Sequence, residues 1–345
     1  MKGFLAAGAL LAGMGSAALA DTPIAGIAGL TVSPDGATVL AAGGNRVIYE
    51  LDANTMEIEA RHWVAVAPVW IRYSADGALV FMRDTQGELI AYDAEGFTEQ
   101  WRVSPTEDAD YATEADHLVF AIRQRREIII GVLAAATTET VASFNLGEMG
   151  VAEIAVSPDG TRIAVLGAGD KLESEERKSP PSELRGLDRE LFAQENDQRG
   201  ARIVMIDVPS GEITTVDSWY TGKNTKGMAF AGEDAIVLAY GLNVARIAPD
   251  GTVSLLETGA RFHYGAMLSL DQTRLISGSL AQFNIKTLEQ AGSREVDLPE
   301  RLPGWPEYLV SFVELPDGRI LAGTSASRIV EISADLNSIT GHPVY

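Results

Sequence analysis

The sequence predicts an all-β fold made of seven similar units, each with four short strands. Three observations support this: a Ser-Pro-Asp-Gly turn recurs along the chain, its copies are regularly spaced, and short alternating apolar runs flank each copy. Alternation with a period of two residues is typical of half-buried strands, and Pro, Asp and Gly favour the tight turns that join them. The pattern therefore predicts a series of β-hairpins rather than helices.

The turn has four clear copies and three degenerate ones. They are Ser33-Pro34-Asp35-Gly36, Ser74-Ala75-Asp76-Gly77, Ser157-Pro158-Asp159-Gly160 and Leu315-Pro316-Asp317-Gly318, and the degenerate Glu114-Ala115-Asp116-His117, Gly232-Glu233-Asp234 and Ser269-Leu270-Asp271-Gln272. Successive turn aspartates are 41, 40, 43, 75, 37 and 46 residues apart. With one exception, this spacing is typical of the four-stranded blade of a β-propeller.

The long interval indicates an insertion in the fourth blade. A second turn follows the first after 17 residues in the first blade, from Asp35 to Asp52, but after 48 in the fourth, from Asp159 to Asp207. The excess falls at about residues 168–200, a charged segment in which Ser182–Asn196 predicts a short helix with one apolar face. Loops of this length are usually functional or disordered. A lid over the channel, a docking arm and a disordered loop all stay open.

The two ends of the chain together supply one more repeat. If residues 1–20 are removed, 14 residues precede Asp35 and 28 follow Asp317, which with the aspartate make 43. We therefore expect a closed ring of seven blades, which leaves no open array of sheets. The outermost strand of the last blade is expected from Ser338–Tyr345 alone, or from that segment with Thr22–Ala25 added.

The first 20 residues predict a cleaved export signal, followed by one domain over 21–345. Lys2 gives a positive start, Phe4–Ala17 is an apolar run, and Ala18-Leu19-Ala20 offers small residues to a signal peptidase before Asp21. A short membrane anchor is the alternative, but the length and the glycines of this segment favour cleavage.

The composition excludes several classes of function. The net charge is −21, and −22 once Lys2 is lost, which disfavours nucleic acid and anionic lipid because both bind through cationic surfaces. The chain has no Cys, so it has no disulfide, no thiol chemistry and no cysteine-linked lipid anchor. A mature chain of this length buries enough surface to fold without disulfides.

The repeated turns at blade spacing resemble the seven-bladed WD-repeat-like and YVTN-type propellers of exported bacterial proteins. These include the propeller subunits of quinoprotein amine dehydrogenases. The resemblance covers essentially the whole mature chain, although no WD dipeptide ends a blade. It implies a periplasmic propeller. Because its motif is a structural turn, it leaves two functions open: a non-catalytic binding scaffold, or the propeller subunit of an oxidoreductase complex whose redox chemistry belongs to a partner chain.

In such a ring the Ser-Pro-Asp-Gly turns share one face, here called the lower face, and their aspartates are expected to be turn formers. The connections between second and third strands and the links between blades share the opposite, upper face. Cations and aromatic rings collect in those upper connections, where arginine binds carboxylates and rings add rigid apolar area. The predicted binding residues are Arg46, Arg83, Arg123, Arg125, Arg126, Trp219, Tyr220, Lys223, Arg261, His263, Tyr264, Trp305 and Arg328, and the same loops carry Trp63, Trp70, Tyr111 and Lys226.

The predicted partner of the upper face is a protein or a small anionic ligand. The alternative is that the arginines pair with nearby acids such as Asp108, Asp110 and Asp217, and that the rings fill crevices between blades. Arginines brought together without partners repel one another, so a clustered set implies either interleaved acids or a bound anion.

No catalytic residue, metal site or cofactor is predicted in this chain. The four histidines, His62, His117, His263 and His342, lie in different blades and form no ligand pair. There is no nucleophile elbow, and no phosphate-binding lysine follows the glycines at Gly43-Gly44. The acidic run Glu107–Asp110 offers oxygens to calcium but lacks the EF-hand pattern. Propellers also build catalytic sites from separated loop residues, so the enzyme hypothesis is weakened rather than removed.

Overall fold

The computed structural model describes residues 26–168, 179, 181–185, 189, 192, 201–218, 227–238, 243–257, 264–278, 282–288, 294–298 and 307–344. These residues form 28 strands in seven four-stranded antiparallel sheets. Each sheet uses four consecutive strands in chain order, so each sheet is one blade of a β-propeller. In the described part of the chain, no helix is both long and apolar enough to cross a membrane.

The strands are short, as expected for propeller blades. Blades 1 to 3 contain β1 (Ile27–Val32), β2 (Thr38–Gly43), β3 (Val47–Asp52), β4 (Ile58–Trp63), β5 (Pro68–Tyr73), β6 (Leu79–Asp84), β7 (Leu89–Asp93), β8 (Glu99–Val103), β9 (Asp108–Ala112), β10 (His117–Gln124), β11 (Glu127–Ala134) and β12 (Thr140–Glu148). Blades 4 and 5 contain β13 (Glu153–Val156), β14 (Arg162–Ala168), β15 (Ala201–Asp207), β16 (Ile213–Ser218), β17 (Gly227–Ala231), β18 (Asp234–Leu238), β19 (Asn243–Ile247) and β20 (Val253–Glu257). Blades 6 and 7 contain β21 (Gly265–Leu268), β22 (Arg274–Gly278), β23 (Gln282–Thr287), β24 (Arg294–Asp297), β25 (Leu309–Glu314), β26 (Ile320–Thr324), β27 (Arg328–Ile332) and β28 (Ile339–Pro343).

The core lies between the blades. Successive side chains of a strand point to opposite faces of its sheet. On β2, Val39 and Ala41 therefore pack against the last blade, whereas Leu40 and Ala42 pack against the second. Seven apolar clusters each join two neighbouring blades, and one of them joins the last blade to the first. The ring is therefore closed.

The predicted turns lie at the lower face and use local hydrogen bonds. In the first, the Ser33 hydroxyl donates to Asp35 Oδ1 at 2.5 Å, and the Ala37 N–H donates to the same oxygen at 3.0 Å. Gly36 has a φ of 75°, which favours glycine. The degenerate third copy is shorter, because Ala112 already pairs with His117 in register.

Backbone hydrogen bonds across neighbouring connections fix the two faces. At the upper face, the Val64 N–H of an inter-blade link donates to the carbonyl of Arg46, in the β2–β3 turn, at 3.0 Å. At the lower face, the Ala53 N–H donates to the Ala37 carbonyl at 2.8 Å, next to the first turn. The turns and the upper connections thus lie on opposite faces of the ring.

Among the described residues, the ring closes through side-by-side packing of the first and last blades. In the last blade, β28 pairs with β27 and completes the sheet. Across the closing junction, the Ser311 hydroxyl donates to the Ile27 carbonyl at 2.7 Å. Thr22–Ala25 lies outside the described residues, as do most of the predicted insertion at 168–200 and most of its predicted helix.

Candidate functional site

The first strand of every blade lines a central cavity of about 220 Å³. Blades 2 to 4 contribute its four ionisable side chains, which are Arg72, Asp108, Asp110 and Glu153. Blades 5 to 7 and blade 1 contribute small or apolar residues, among them Gly227, Met228, Ala266, Met267, Val310, Phe312 and Leu30. This cavity is the central channel of the ring, and it has one charged wall and one apolar wall.

The channel carboxylates connect blade 3 to blade 4. Asp108 Oδ2 accepts the Ile154 N–H at 2.7 Å, and Asp110 Oδ2 accepts the Val156 N–H at 3.0 Å. Burial raises the pKa of Asp108 to about 6, against the opposing effect of Arg83, whose Nη1 lies 3.2 Å from Asp108 Oδ1. Burial also raises the pKa of Asp110. These groups satisfy backbone donors of the next blade and hold protons more readily than ordinary aspartates.

Arg72 makes a similar connection between blades 2 and 1. Its Nη1 donates to the carbonyls of Leu30 at 3.3 Å and Ile71 at 2.9 Å, and its guanidinium lies 5.6 Å from the centre of the Trp70 ring. Burial lowers the pKa of Arg72, with Asp110 opposing. The charged wall therefore consists of side chains that already have structural partners.

Four of the predicted upper-face arginines form ion pairs. Arg83 pairs with Asp108 and also donates to the Glu107 carbonyl, while Arg123 Nε lies 2.7 Å from Glu107 Oε1. Arg328 makes a two-pronged contact with the Glu307 carboxylate, at 2.6 and 2.8 Å, and their side chains are only 16% and 5% exposed. Arg126 reaches Glu148 at 3.9 Å with both side chains well exposed. For these four arginines, the structure therefore shows the pairing with nearby acids that the alternative interpretation expected.

Arg46 and Arg125 differ from the other four. Both are exposed, and neither side chain has an ion pair or hydrogen bond among the described residues. Each lies in an upper turn at positive φ, 58° for Arg46 and 61° for Arg125. Such turn positions favour glycine, and Gly87, with a φ of 83°, occupies the β6–β7 turn of blade 2.

The other described non-glycine residues with positive φ have local contacts that compensate for this backbone conformation. Met56 is buried in the core, and Phe97 stacks on His62 at 4.1 Å. The remainder are Asp116 and Gln272, which accept hydrogen bonds, Thr138, which donates one, Ser327, which is buried, and Leu336, which packs on the core. The left-handed conformation costs a non-glycine residue about 1–2 kcal/mol. The backbone of Arg46 accepts the Val64 N–H, but the side chains of the two arginines make no contact of this kind among the described residues.

Trp63, at the upper end of β4, is 81% exposed, the highest value among the exposed large apolar side chains of the described chain. It pairs in register with Val47, the residue after Arg46. Along β4 exposed and partly buried residues alternate, so Arg61 shares its outward side; Arg61 also lies 5.7 Å from the centre of the Tyr49 ring. We call Arg46, Arg61 and Trp63 the blade-1 corner. The alternation Ile-Glu-Ala-Arg-His-Trp already indicates that Trp63 points outward, although the predicted binding set left it out.

The remaining predicted rings and cations have mixed positions. The Tyr264 ring packs against Tyr308, with ring centres 4.3 Å apart. Tyr111 does not belong to the upper connections: its hydroxyl donates to Asp116 and accepts the Ala75 N–H, which places it at the lower turns. Outside the described residues lie Trp219, Tyr220, Lys223, Lys226, Arg261, His263 and Trp305.

The described residues contain no cluster of three or more potential metal ligands. The acidic run of β9 is engaged elsewhere, because Glu107 pairs with Arg123 and Asp108 pairs with Arg83. His62 Nε2 lies 2.8 Å from Glu50 Oε2, and in another blade His342 Nε2 lies 3.6 Å from Glu331 Oε2. Within that part of the chain, the arrangement is suited to recognition through arginines and an exposed indole.

Comparisons with known proteins place the fold but not the activity. The chain matches no protein-family model and no curated protein sequence. Among solved structures it is similar to a chain of "Kuenenia stuttgartiensis Hydrazine Synthase", with a TM-score of 0.64 and 16% sequence identity, over 96% of this chain and 98% of that one. In all, 1677 chains of solved structures match it, so the likeness identifies a widespread fold. The chain has the fold of a β-propeller.

Proposed function

We propose that this protein is an exported, periplasmic and non-catalytic β-propeller scaffold that binds a protein partner or a small anionic ligand on its upper face. The observation that carries the proposal is the state of Arg46 and Arg125. Both guanidinium groups are exposed and have no partner among the residues that the structure describes, and both stand at turn positions where glycine is favoured. Backbone strain of this kind is concentrated at binding and catalytic sites.

The predicted arginines that form ion pairs stabilise the upper face rather than contact the ligand. The ion pairs of Arg83, Arg123 and Arg328 hold inter-blade links against neighbouring blades, and so give the upper face a fixed shape. The predicted residues of blades 5 to 7, such as Trp219 and Arg261, stay candidates on the same face. Arginine binds carboxylates through two parallel hydrogen bonds, which favours an acidic ligand.

The test replaces Arg46 and Arg125 with glycine in the mature chain. We expect an unchanged or slightly raised melting temperature, because glycine removes the cost of positive φ while adding some unfolded-state entropy. We also expect at least a tenfold loss of binding, measured by quantitative recovery of partners from the native periplasm and by calorimetry with citrate and phosphate. Thr138→Gly is the matched control, since Thr138 has a φ of 60° in a lower turn of blade 3. Full binding by the double variant contradicts the proposal.

The alternative is that the chain is the propeller subunit of a periplasmic oxidoreductase complex similar to the quinoprotein amine dehydrogenases. It is supported by the resemblance of the repeats to that family and, at the level of fold, by the likeness to a hydrazine synthase chain. Native purification separates the two functions. A haem- or quinone-containing chain that co-purifies in a fixed ratio favours the alternative, and recovery without a redox-active chain favours the scaffold.

Export is part of the proposal and has its own measurement. Cleavage after Ala20 gives a mature protein that begins at Asp21, as the Ala-Leu-Ala boundary predicts. Mass spectrometry of the natively expressed protein should find that N-terminus in the periplasmic fraction. A full-length, membrane-retained species contradicts it.

A further inference from the structure

We propose that the occupant of the upper face is the acidic surface of a partner protein, docked across blades 1 to 3 with Trp63 as its apolar anchor. This inference rests on the proposed function and narrows it, because it chooses a protein over a small anion. Three observations carry it: the separation of the two arginines whose side chains have no partner among the described residues, the uncharged turn between them, and the exposed indole beside one of them.

The first step concerns separation. Arg46 belongs to blade 1 and Arg125 to blade 3, with blade 2 between them. Packed sheets lie about 10 Å apart, so the turns that carry these two arginines are roughly 20 Å apart. One small anion cannot bind both guanidinium groups at that distance. A protein surface with carboxylates at matching positions can.

The second step concerns the surface between the two arginines. In the β6–β7 turn of blade 2, Gly87 is buried against the next inter-blade link, where its carbonyl accepts the Thr106 N–H at 2.8 Å, and the exposed residues of the turn are the uncharged Thr85 and Gln86. The neighbouring charges of blade 2 are already used, since Arg83 pairs with Asp108 and Asp84 Oδ1 accepts the N–H groups of Gln86 and Glu88. Blade 2 therefore presents an uncharged turn, with its neighbouring charges already paired, on which a partner can lie between its two arginine contacts.

The third step concerns the anchor. Trp63 is 81% exposed, and Arg61 and Arg46 flank it at the blade-1 corner. Trp and Arg are the residue types most enriched at the energetic centres of protein interfaces. A side chain of this size gains from desolvation only inside an apolar pocket. The fitting partner therefore combines a shallow apolar pocket with carboxylates beside it.

The charge of the rest of the molecule orients this encounter. At the lower face, hydrogen bonds hold the pKa values of three turn aspartates below their usual range: chiefly the Ser33 hydroxyl for Asp35, the Ala78 N–H and then Ser74 for Asp76, and the Ser157 hydroxyl for Asp159. These carboxylates therefore stay charged. An acidic partner is repelled from that side and approaches the arginines of the other. The same overall charge disfavours nucleic acid, whose phosphates meet no extended cationic surface.

The experiment uses a displayed library of random 12-residue peptides, selected on the immobilised mature protein. An extended peptide of that length reaches about 40 Å, enough to span blades 1 to 3. Selections run in parallel on wild type, Trp63→Ala, Arg46→Gly with Arg125→Gly, and Leu270→Ala. Leu270 is a matched control, because it is 66% exposed in a lower turn. Melting curves of all four proteins establish that each is folded.

We expect wild type and Leu270→Ala to enrich acidic peptides that contain at least one large apolar residue. The Trp63 variant and the double arginine variant should each bind those peptides at least tenfold more weakly. Two results overturn the inference and leave the proposed function standing: arginine-dependent binding of citrate or phosphate without peptide enrichment, or enrichment that ignores Trp63 but needs the arginines. Competition by DNA equal to that by acidic peptide overturns it in favour of a polyanion. Absence of all arginine-dependent binding removes both proposals.

Discussion

The lower turns and the channel both use aspartate to accept hydrogen bonds, but the pKa of the aspartate is lowered in the turns and raised in the channel. At the lower face Asp35 accepts hydrogen bonds from residues no more than two positions away. In the channel Asp108 and Asp110 accept backbone N–H groups 46 positions away, on the next blade. The pKa of Asp35 is lowered, chiefly by the Ser33 hydroxyl, whereas burial raises those of the channel pair.

The difference shows what decides the behaviour of an aspartate in this ring. A turn aspartate keeps its contact with water, so added donors simply favour the charged form. A channel aspartate receives comparable donors but loses water, and the desolvation is the larger effect. Local contacts define each blade, and long-range contacts join one blade to the next.

The largest effect is expected at a nearly buried ion pair of the last blade. Arg328→Glu puts a second negative charge against Glu307, and both positions are nearly buried. Breaking a buried pair in this way costs roughly 3–5 kcal/mol of unfolding free energy, measurable by urea titration. The charge-swapped double variant Arg328→Glu with Glu307→Arg should recover part of the loss. If the single variant is as stable as wild type, the Arg328–Glu307 pair does not stabilise the last blade.

A direct comparison of the two aspartate classes comes next. Asp108→Ala leaves the Ile154 N–H and the Arg83 guanidinium without their partner, and we expect a loss of about 2–3 kcal/mol by thermal and urea unfolding. Asp110→Ala, which strips the Val156 N–H of its acceptor, should behave similarly. Losses no greater than those at a lower turn would contradict the difference drawn between the two regions.

The pH dependence of stability should separate the classes by sign. The folded pKa of Asp108 is raised from 3.8 to about 6, so between these values the native state holds a proton that the unfolded chain releases. Its contribution is therefore complete below about pH 4 and is lost as pH rises through 6. For Asp271, lowered to about 2, the contribution is present above 3.8 and is lost as pH falls toward 2.

The measurement is the difference in unfolding free energy between wild type and Asp108→Asn from pH 4 to 7. We expect wild type to gain relative to the variant as pH falls, by on the order of 1 kcal/mol. Asp271→Asn should show the opposite slope below pH 4. A flat difference for Asp108→Asn means that this carboxyl titrates normally in the folded protein.

The smallest effect is expected at an exposed turn. Asp271→Ala removes the acceptor of the Ser269 hydroxyl and the Thr273 N–H, both of which water replaces at this exposed position. We expect a loss of about 0.5–1 kcal/mol in unfolding free energy. A loss that equals the one at Asp108 would mean that the turns contribute as much as the channel junctions.

The contacts between residues that are close in the chain can be predicted from the sequence. The Ser-Pro-Asp-Gly pattern gives the turns, their spacing gives the blades, and the alternation of β2 gives the two buried faces of a sheet. All of these depend on residues close together in the chain. The division into an upper and a lower face follows from them, because consecutive antiparallel strands must turn at opposite ends.

The contacts between residues that are far apart in the chain cannot be predicted in this way. No signal in the sequence links Asp108 to Ile154, since that pairing depends on how neighbouring blades meet. Tyr111 was expected among the upper connections, but it belongs to β9, where two aspartates interrupt the apolar alternation that marks a strand. Those aspartates replace apolar residues there because they bind the backbone of the next blade. The two arginines without partners were likewise indistinguishable from the four with partners.

The closing junction of the ring has a consequence for biogenesis. One face of the first blade, including Leu30 and Val39, is buried against Leu321 and Ile329 of the last blade. The sixth blade depends on that last blade in the same way. Until the C-terminal blade has formed, two apolar faces at opposite ends of the folded chain stay open to water and to other nascent chains. A stop codon that removes β25–β28 should therefore yield an aggregating or degraded polypeptide rather than a six-bladed protein.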